Sequence, residues 1–78
     1  MSKLPSLSSS AIMQALRRKG FEDAPKRGKG SHTALVGRDA TGRVRLVVVP
    51  HRKDVPIGTL LSILDQAGLT RAEFLALL

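Results

Sequence analysis

The feature that most constrains this chain is its glycine and proline punctuation. Gly20, the Gly28-Lys29-Gly30 triplet, Gly42, Pro50 and Gly68 cut it into short segments. Glycine accepts the left-handed backbone that ends a helix or closes a turn, and proline removes a ladder donor. Each segment must therefore form its own small element. With 78 residues, these elements build one domain. The longest unbroken apolar run, Phe74 to Leu78, is far short of a membrane span.

The hydrophobic period of each segment names its element. Ser8, Ser9 or Ser10 can cap a helix on which Ile12, Met13, Ala15 and Leu16 share a face. Arg17, Arg18 and Lys19 complement its carbonyl end, and Gly20 stops it, which predicts a helix over residues 9–19. Phe21–Arg27 reads as a weak strand, at an edge or bulged because of Pro25. Ser31–Gly37 reads as a second strand, with His32, Ala34 and Val36 on one face. Arg38–Gly42 supplies hairpin chemistry. Arg43–Val49 is the strongest strand, with Val44, Leu46 and Val48 expected inside and Arg43 and Arg45 outside.

Pro56 suits the first turn of a helix carrying the Leu60, Leu61, Ile63, Leu64 and Ala67 stripe, which Gly68 ends. Thr70-Arg71-Ala72-Glu73 is a capping box for a short last helix. The expected class is α+β, in the order α-β-β-β-α with a short extra C-terminal helix. Its three-stranded antiparallel sheet carries the helices on one face. Residues 1–8 are expected to be a loose arm, and residues 9–78 the single domain.

Charge points to the partner. The formal net charge is +7, with 13 Lys+Arg against 6 Asp+Glu. Residues 1–53 carry a balance of +9 and residues 54–78 a balance of −2. So strong a local surplus favours a polyanion, most often nucleic acid. A membrane surface fits less well, because no basic segment has a broad apolar face with aromatic anchors. Phe21 and Phe74 are the only aromatics and both read as core, so the stacking platform of single-strand readers is missing. RNA would instead be gripped by its backbone.

Other chemistries are excluded. Without cysteine there is no disulfide, redox dithiol or cysteine zinc site. The six carboxylates are scattered, unlike the acid clusters of two-metal nucleases. Gly28-Lys29-Gly30 lacks the flanks of a Walker or dinucleotide loop. Neither a metal nor another cofactor is expected. With no signal peptide and no span, a cytoplasmic location is expected.

Gly30-Ser31-His32, then Val49-Pro50-His51, Gly58-Thr59-Leu60 with Ile63-Leu64, and Gln66-Ala67-Gly68-Leu69 together resemble the HicA family. These are mRNA-interferase toxins of type II toxin–antitoxin pairs, and the resemblance covers roughly residues 9–78. It implies a fold like double-stranded-RNA-binding domains, a HicB-like antitoxin partner and an RNA substrate. It also puts the family's functional histidine at His32, preceded by Gly30 and Ser31. Thr33, Ala34 and Leu35 depart from the bulkier residues often found after that histidine.

Cleaving RNA needs a base for a 2′-hydroxyl and donors for the charged phosphorane, and a neutral imidazole suits the first task. His32 is accordingly the candidate general base. Lys26, Arg27, Lys29, Gly30, Ser31, Arg43 and Arg45 are candidate RNA-binding residues. His51 is the candidate second acid/base, with a loop or helix cap as its plainer role. The alternative function is a non-catalytic RNA-binding module using the same basic sheet face. A further alternative is a basic surface that meets only protein.

Overall fold

The computed structural model describes Leu4 and residues 6–24 and 30–78. Local signals place the helices. In α1 (Ser9–Lys19), the Ser8 hydroxyl accepts the Ala11 N–H at 3.2 Å, and Gly20 ends the helix at φ +107°. Ile12, Ala15 and Leu16 form its buried face. In α2 (Ile57–Ala67), Pro56 lies just before the helix rather than inside its first turn, and Gly68 closes it. The capping box forms as expected on α3 (Arg71–Leu75), with Thr70 and Glu73 exchanging bonds of 2.9 and 3.1 Å.

Three antiparallel strands lie between the helices: β1 (Glu22–Asp23), β2 (His32–Arg38) and β3 (Val44–Pro50), in the order β1-β2-β3. Helices α1 and α2 pack against β3 on one face of the sheet. The α+β layout with helices on one side is therefore present. Within the described residues, the first strand of the expected 21–27 segment begins at Glu22 rather than Phe21, because Phe21 enters the core and its N–H donates to the Leu16 carbonyl at 3.0 Å. Residues 25–29, which hold the rest of that segment and most of the glycine turn, lie outside the described residues.

The core face of β3 is the reverse of the expected one. Val47 and Val49 are fully buried together with Leu35, whereas Val44 and Leu46 are 56% and 42% exposed. Arg45 shares the helix face with Val47 and Val49, at the hairpin end. The cause lies on the neighbouring strand. Phe21 is buried with its ring over Gly37, where a Cβ would come within 2.7 Å of the phenyl carbons. That contact makes the Leu35–Gly37 phase the core phase, and the ladder pairs Gly37 with Arg45 and Leu35 with Val47. A shift of one residue reverses every side chain of a strand, so Val44, Leu46 and Val48 turn outward.

Pro50 closes β3 without loss. The Asp39 N–H donates to the Arg43 carbonyl at 3.0 Å and the His51 N–H to the Ser31 carbonyl at 2.8 Å. Bonding in an antiparallel pair alternates, so Pro50 faces the free edge, where no ladder donor is needed. On that same edge the Val48 N–H donates to Gln66 Oε1 of α2 at 2.9 Å.

The loop after β3 is tied to the start of α1. The Ser9 hydroxyl donates to the Pro50 carbonyl and the Arg52 N–H donates to Ser9 Oγ at 2.6 Å. The Ser9 N–H donates to the Arg52 carbonyl at 2.9 Å, and Val55 donates to the Leu7 carbonyl at 2.8 Å. Leu4 and Leu7 also pack against the core.

Gly37→Ala tests the packing that sets the sheet phase. Crowding the Phe21 ring should cost about 1–3 kcal/mol, as overpacking typically does. A thermal melt should show a lower midpoint, and an unchanged midpoint would contradict this packing.

Candidate functional site

The ladder sorts the expected site residues by end and by face. Gly30, Ser31 and His32 stand at the end of the sheet where β2 begins. His32 is exposed, and its Nδ1 lies 3.1 Å from Ser31 Oγ. Gly30 is exposed with φ +39°, and a Cβ there would meet no described atom within 4 Å. Lys26, Arg27 and Lys29 lie outside the described residues.

His51 lies opposite Ser31, one step along the ladder from the His32–Pro50 pair. The two imidazoles nevertheless serve different faces. His32 follows the outward phase of Ala34 and Val36, while His51 follows the inward phase, where its Nε2 meets Thr33 Oγ1.

Arg43 and Arg45 belong to the opposite end. Their hairpin closes beyond Arg38, about 20 Å along the strand from His32 at ~3.4 Å per residue. Arg43 is exposed there. Arg45 is occupied: its Nε donates to Asp39 Oδ2 at 2.8 Å, and the Asp39 side chain is only 6% exposed. Asp39 also accepts from the Thr41 hydroxyl at 2.6 Å and from the Thr41 and Arg43 N–H groups. The Thr41 hydroxyl first, and the Arg45 guanidinium next, hold this carboxyl well below the usual carboxylate range. Gly68 of the α2 cap lets the pair approach closely, since a Cβ there would sit 3.0 Å from Asp39 Cβ and 3.2 Å from Arg45 Nε. Arg45 thus braces the hairpin against the Gly68 cap of α2, and the structure separates both arginines from the histidine.

Two basic residues outside the expected set stand nearer to the histidine in the fold. Arg52 and Lys53 follow His51 directly and are exposed at the His32 end of the sheet. The signal is the run His51-Arg52-Lys53 itself, which reads as a plain loop until the Ser9 clamp shows where it is held. The sheet's outer face also carries exposed Val44 and Leu46 and half-buried Val36, Val48 and Pro50, a strip that runs from the hairpin to His32.

Among the described residues no helix is long and apolar enough to cross a membrane. Among the same residues, no three His, Cys, Asp or Glu side chains gather as a metal site would require.

The family model for the HicA toxin of bacterial toxin–antitoxin systems matches residues 9–69, from the first residue of α1 to just past α2. The chain belongs to the HicA toxin family. It is therefore the toxin of a toxin–antitoxin pair, and membership implies an antitoxin partner. The matched span of this HicA toxin holds both histidines and every described residue of the site. No curated protein matches the chain.

The Asp39 cluster makes a prediction about pH. A carboxyl held low in the folded state contributes stability above its ordinary range, about pH 4, and loses it as pH falls through that range toward the folded value. Asp39→Asn should melt below the wild type at pH 7, with the gap narrowing as the pH drops below about 4. A gap of equal size at pH 7 and pH 2.5 would contradict this assignment.

Proposed function

We propose that this toxin is an mRNA interferase that cleaves RNA with His32 as general base. The observation that carries the reading is the setting of His32. It is exposed at the start of β2, steadied by Ser31 and preceded by the exposed Gly30. With Nδ1–H donating to Ser31 Oγ, Nε2 keeps a lone pair directed to solvent and can take the proton of a ribose 2′-hydroxyl.

The freed 2′-oxygen then attacks the adjacent phosphorus and the bond to the 5′-oxygen breaks. The leaving oxygen takes its proton from water. His51 is given no proton transfer in this reading, because Thr33 engages its Nε2 on the other face. The phosphate is held by Ser31, the Gly30 backbone and the cations Lys26, Arg27 and Lys29 that precede them in the chain. This scheme calls on no metal. Its substrate is mRNA, and it acts in the cytoplasm.

The antitoxin in this reading is HicB-like and lies over the outer sheet face. Val36, Val44 and Leu46 give it an apolar footing that leads directly to His32. A partner seated there shuts the substrate out.

His32→Ala decides between this nuclease and a non-catalytic RNA-binding module. Because His32 is exposed, the variant should keep its circular dichroism spectrum and melting point. RNA cleavage should fall by about 100-fold or more, the scale of a lost general base. Undiminished cleavage would remove His32 from the reaction. RNA binding without cleavage in the wild type would favour the module.

A further inference from the structure

We propose that the cleft between the start of α1 and the loop after β3 is a subsite for a nucleotide flanking the cut. The inference rests on the RNA-cleaving reading above and deepens it. The cleft is a shallow depression, wide open to solvent, of about 400 Å³. Its lining includes Met13 of α1 together with His51, Arg52 and Lys53 of the loop.

The composition suits one class of ligand. Met13 is half-buried and offers a polarizable apolar floor for the face of a base or ribose. Arg52 and Lys53 are exposed cations at the wall, able to pair with a backbone phosphate. Neither forms a side-chain ion pair with a described residue. The neighbouring acid, Asp54, accepts from the Ser6 hydroxyl and does not line the cleft.

Two of the three serines that line the cleft at the helix start are already committed, and the third, Ser10, is exposed. Ser8 caps α1, and Ser9 holds Pro50 and Arg52. The subsite therefore depends on the two cations and the apolar floor, not on the helix terminus.

Position connects the cleft to the chemistry. His51 is both a wall of the cleft and the residue bonded to Ser31, next to His32. A strand of RNA with its reactive ribose at His32 on the outer face would round the end of the sheet at Ser31 and His51. Its next nucleotide would then enter the cleft on the helix face. The Thr33–His51 contact holds the imidazole back as that wall, which gives His51 a positioning role. The Ser9 clamp sets the loop carrying Arg52 and Lys53 in place before RNA arrives. An acidic peptide could meet the same cations, but it would not need the apolar floor or the junction with His32.

The test is binding of a short, fully 2′-O-methylated single-stranded RNA, which offers no 2′-hydroxyl to attack. Fluorescence anisotropy over a range of salt concentrations compares wild type, Arg52→Ala/Lys53→Ala and Arg43→Ala. The double variant should bind about 10-fold or more weaker at low salt. Its log–log salt slope should shrink by about 1.4, the value for two contacts on a single strand. Arg43→Ala, at the far end, should match the wild type. Unchanged affinity and slope in the double variant would overturn the subsite, as would an equal loss in Arg43→Ala. So would a double variant that keeps RNA affinity but loses its hold on the antitoxin. Loss of cleavage in His32→Ala is scored separately, so the subsite can fail while the nuclease reading stands. No RNA binding by the wild type at low salt would sink both.

Discussion

The ladder between β2 and β3 is the interaction on which the rest of the molecule depends. Its seven pairs run from His32–Pro50 to Arg38–Val44 and settle both the face and the end that each side chain serves. One phase supplies Leu35, Val47 and Val49 to the core under α1 and α2. The other supplies an outer face whose apolar strip ends at His32. Because side chains in a strand repeat with period two, no partial error in this register is available. The Phe21 ring over Gly37 pins the phase at one end, and the Ser9 clamp on Pro50 and Arg52 pins the loop at the other.

The helices were legible because their signals are local. Ser8, Gly20, Gly68 and the Thr70–Glu73 box each act within a few residues of the terminus they define. The pairing of the second and third strands is local too, because the 38–42 hairpin joins them directly. The inward face of β3 did not, because Val44-Arg45-Leu46-Val47-Val48-Val49 is apolar in both phases and only Arg45 breaks the symmetry. A charge in the Val47 phase argues that this phase is outside. The structure places Arg45 inside nonetheless, at the sheet's end, where Asp39 takes its charge and Gly68 makes room for it. That partnership draws on Asp39 of the hairpin loop and on Gly68 beyond α2, and could not be seen in the strand alone.

The candidate site was legible in the same uneven way. Gly30, Ser31 and His32 stand together because they are consecutive. The alternation of β3 predicts Arg43 and Arg45 on the same outer sheet face as His32, but the hairpin carries them to the opposite end. Arg52 and Lys53 belong at the histidine end for a nonlocal reason, since the Ser9 hydroxyl of α1 holds the loop that bears them. The excess positive charge is thus divided. Part of it sits in the hairpin, and part, Arg52 and Lys53, sits at the end of the sheet where His32 stands in this HicA-family toxin.

The central claim is that RNA meets this protein at the His32 end of the sheet. Mapping backbone amide chemical shifts in ¹⁵N-labelled protein during titration with a non-cleavable 2′-O-methyl RNA tests it most directly. The account predicts shifts at Gly30, Ser31 and His32 and at residues 51–53, with the 38–45 hairpin still. Shifts centred on Arg38, Arg43 and Arg45, with the His32 end silent, would contradict it.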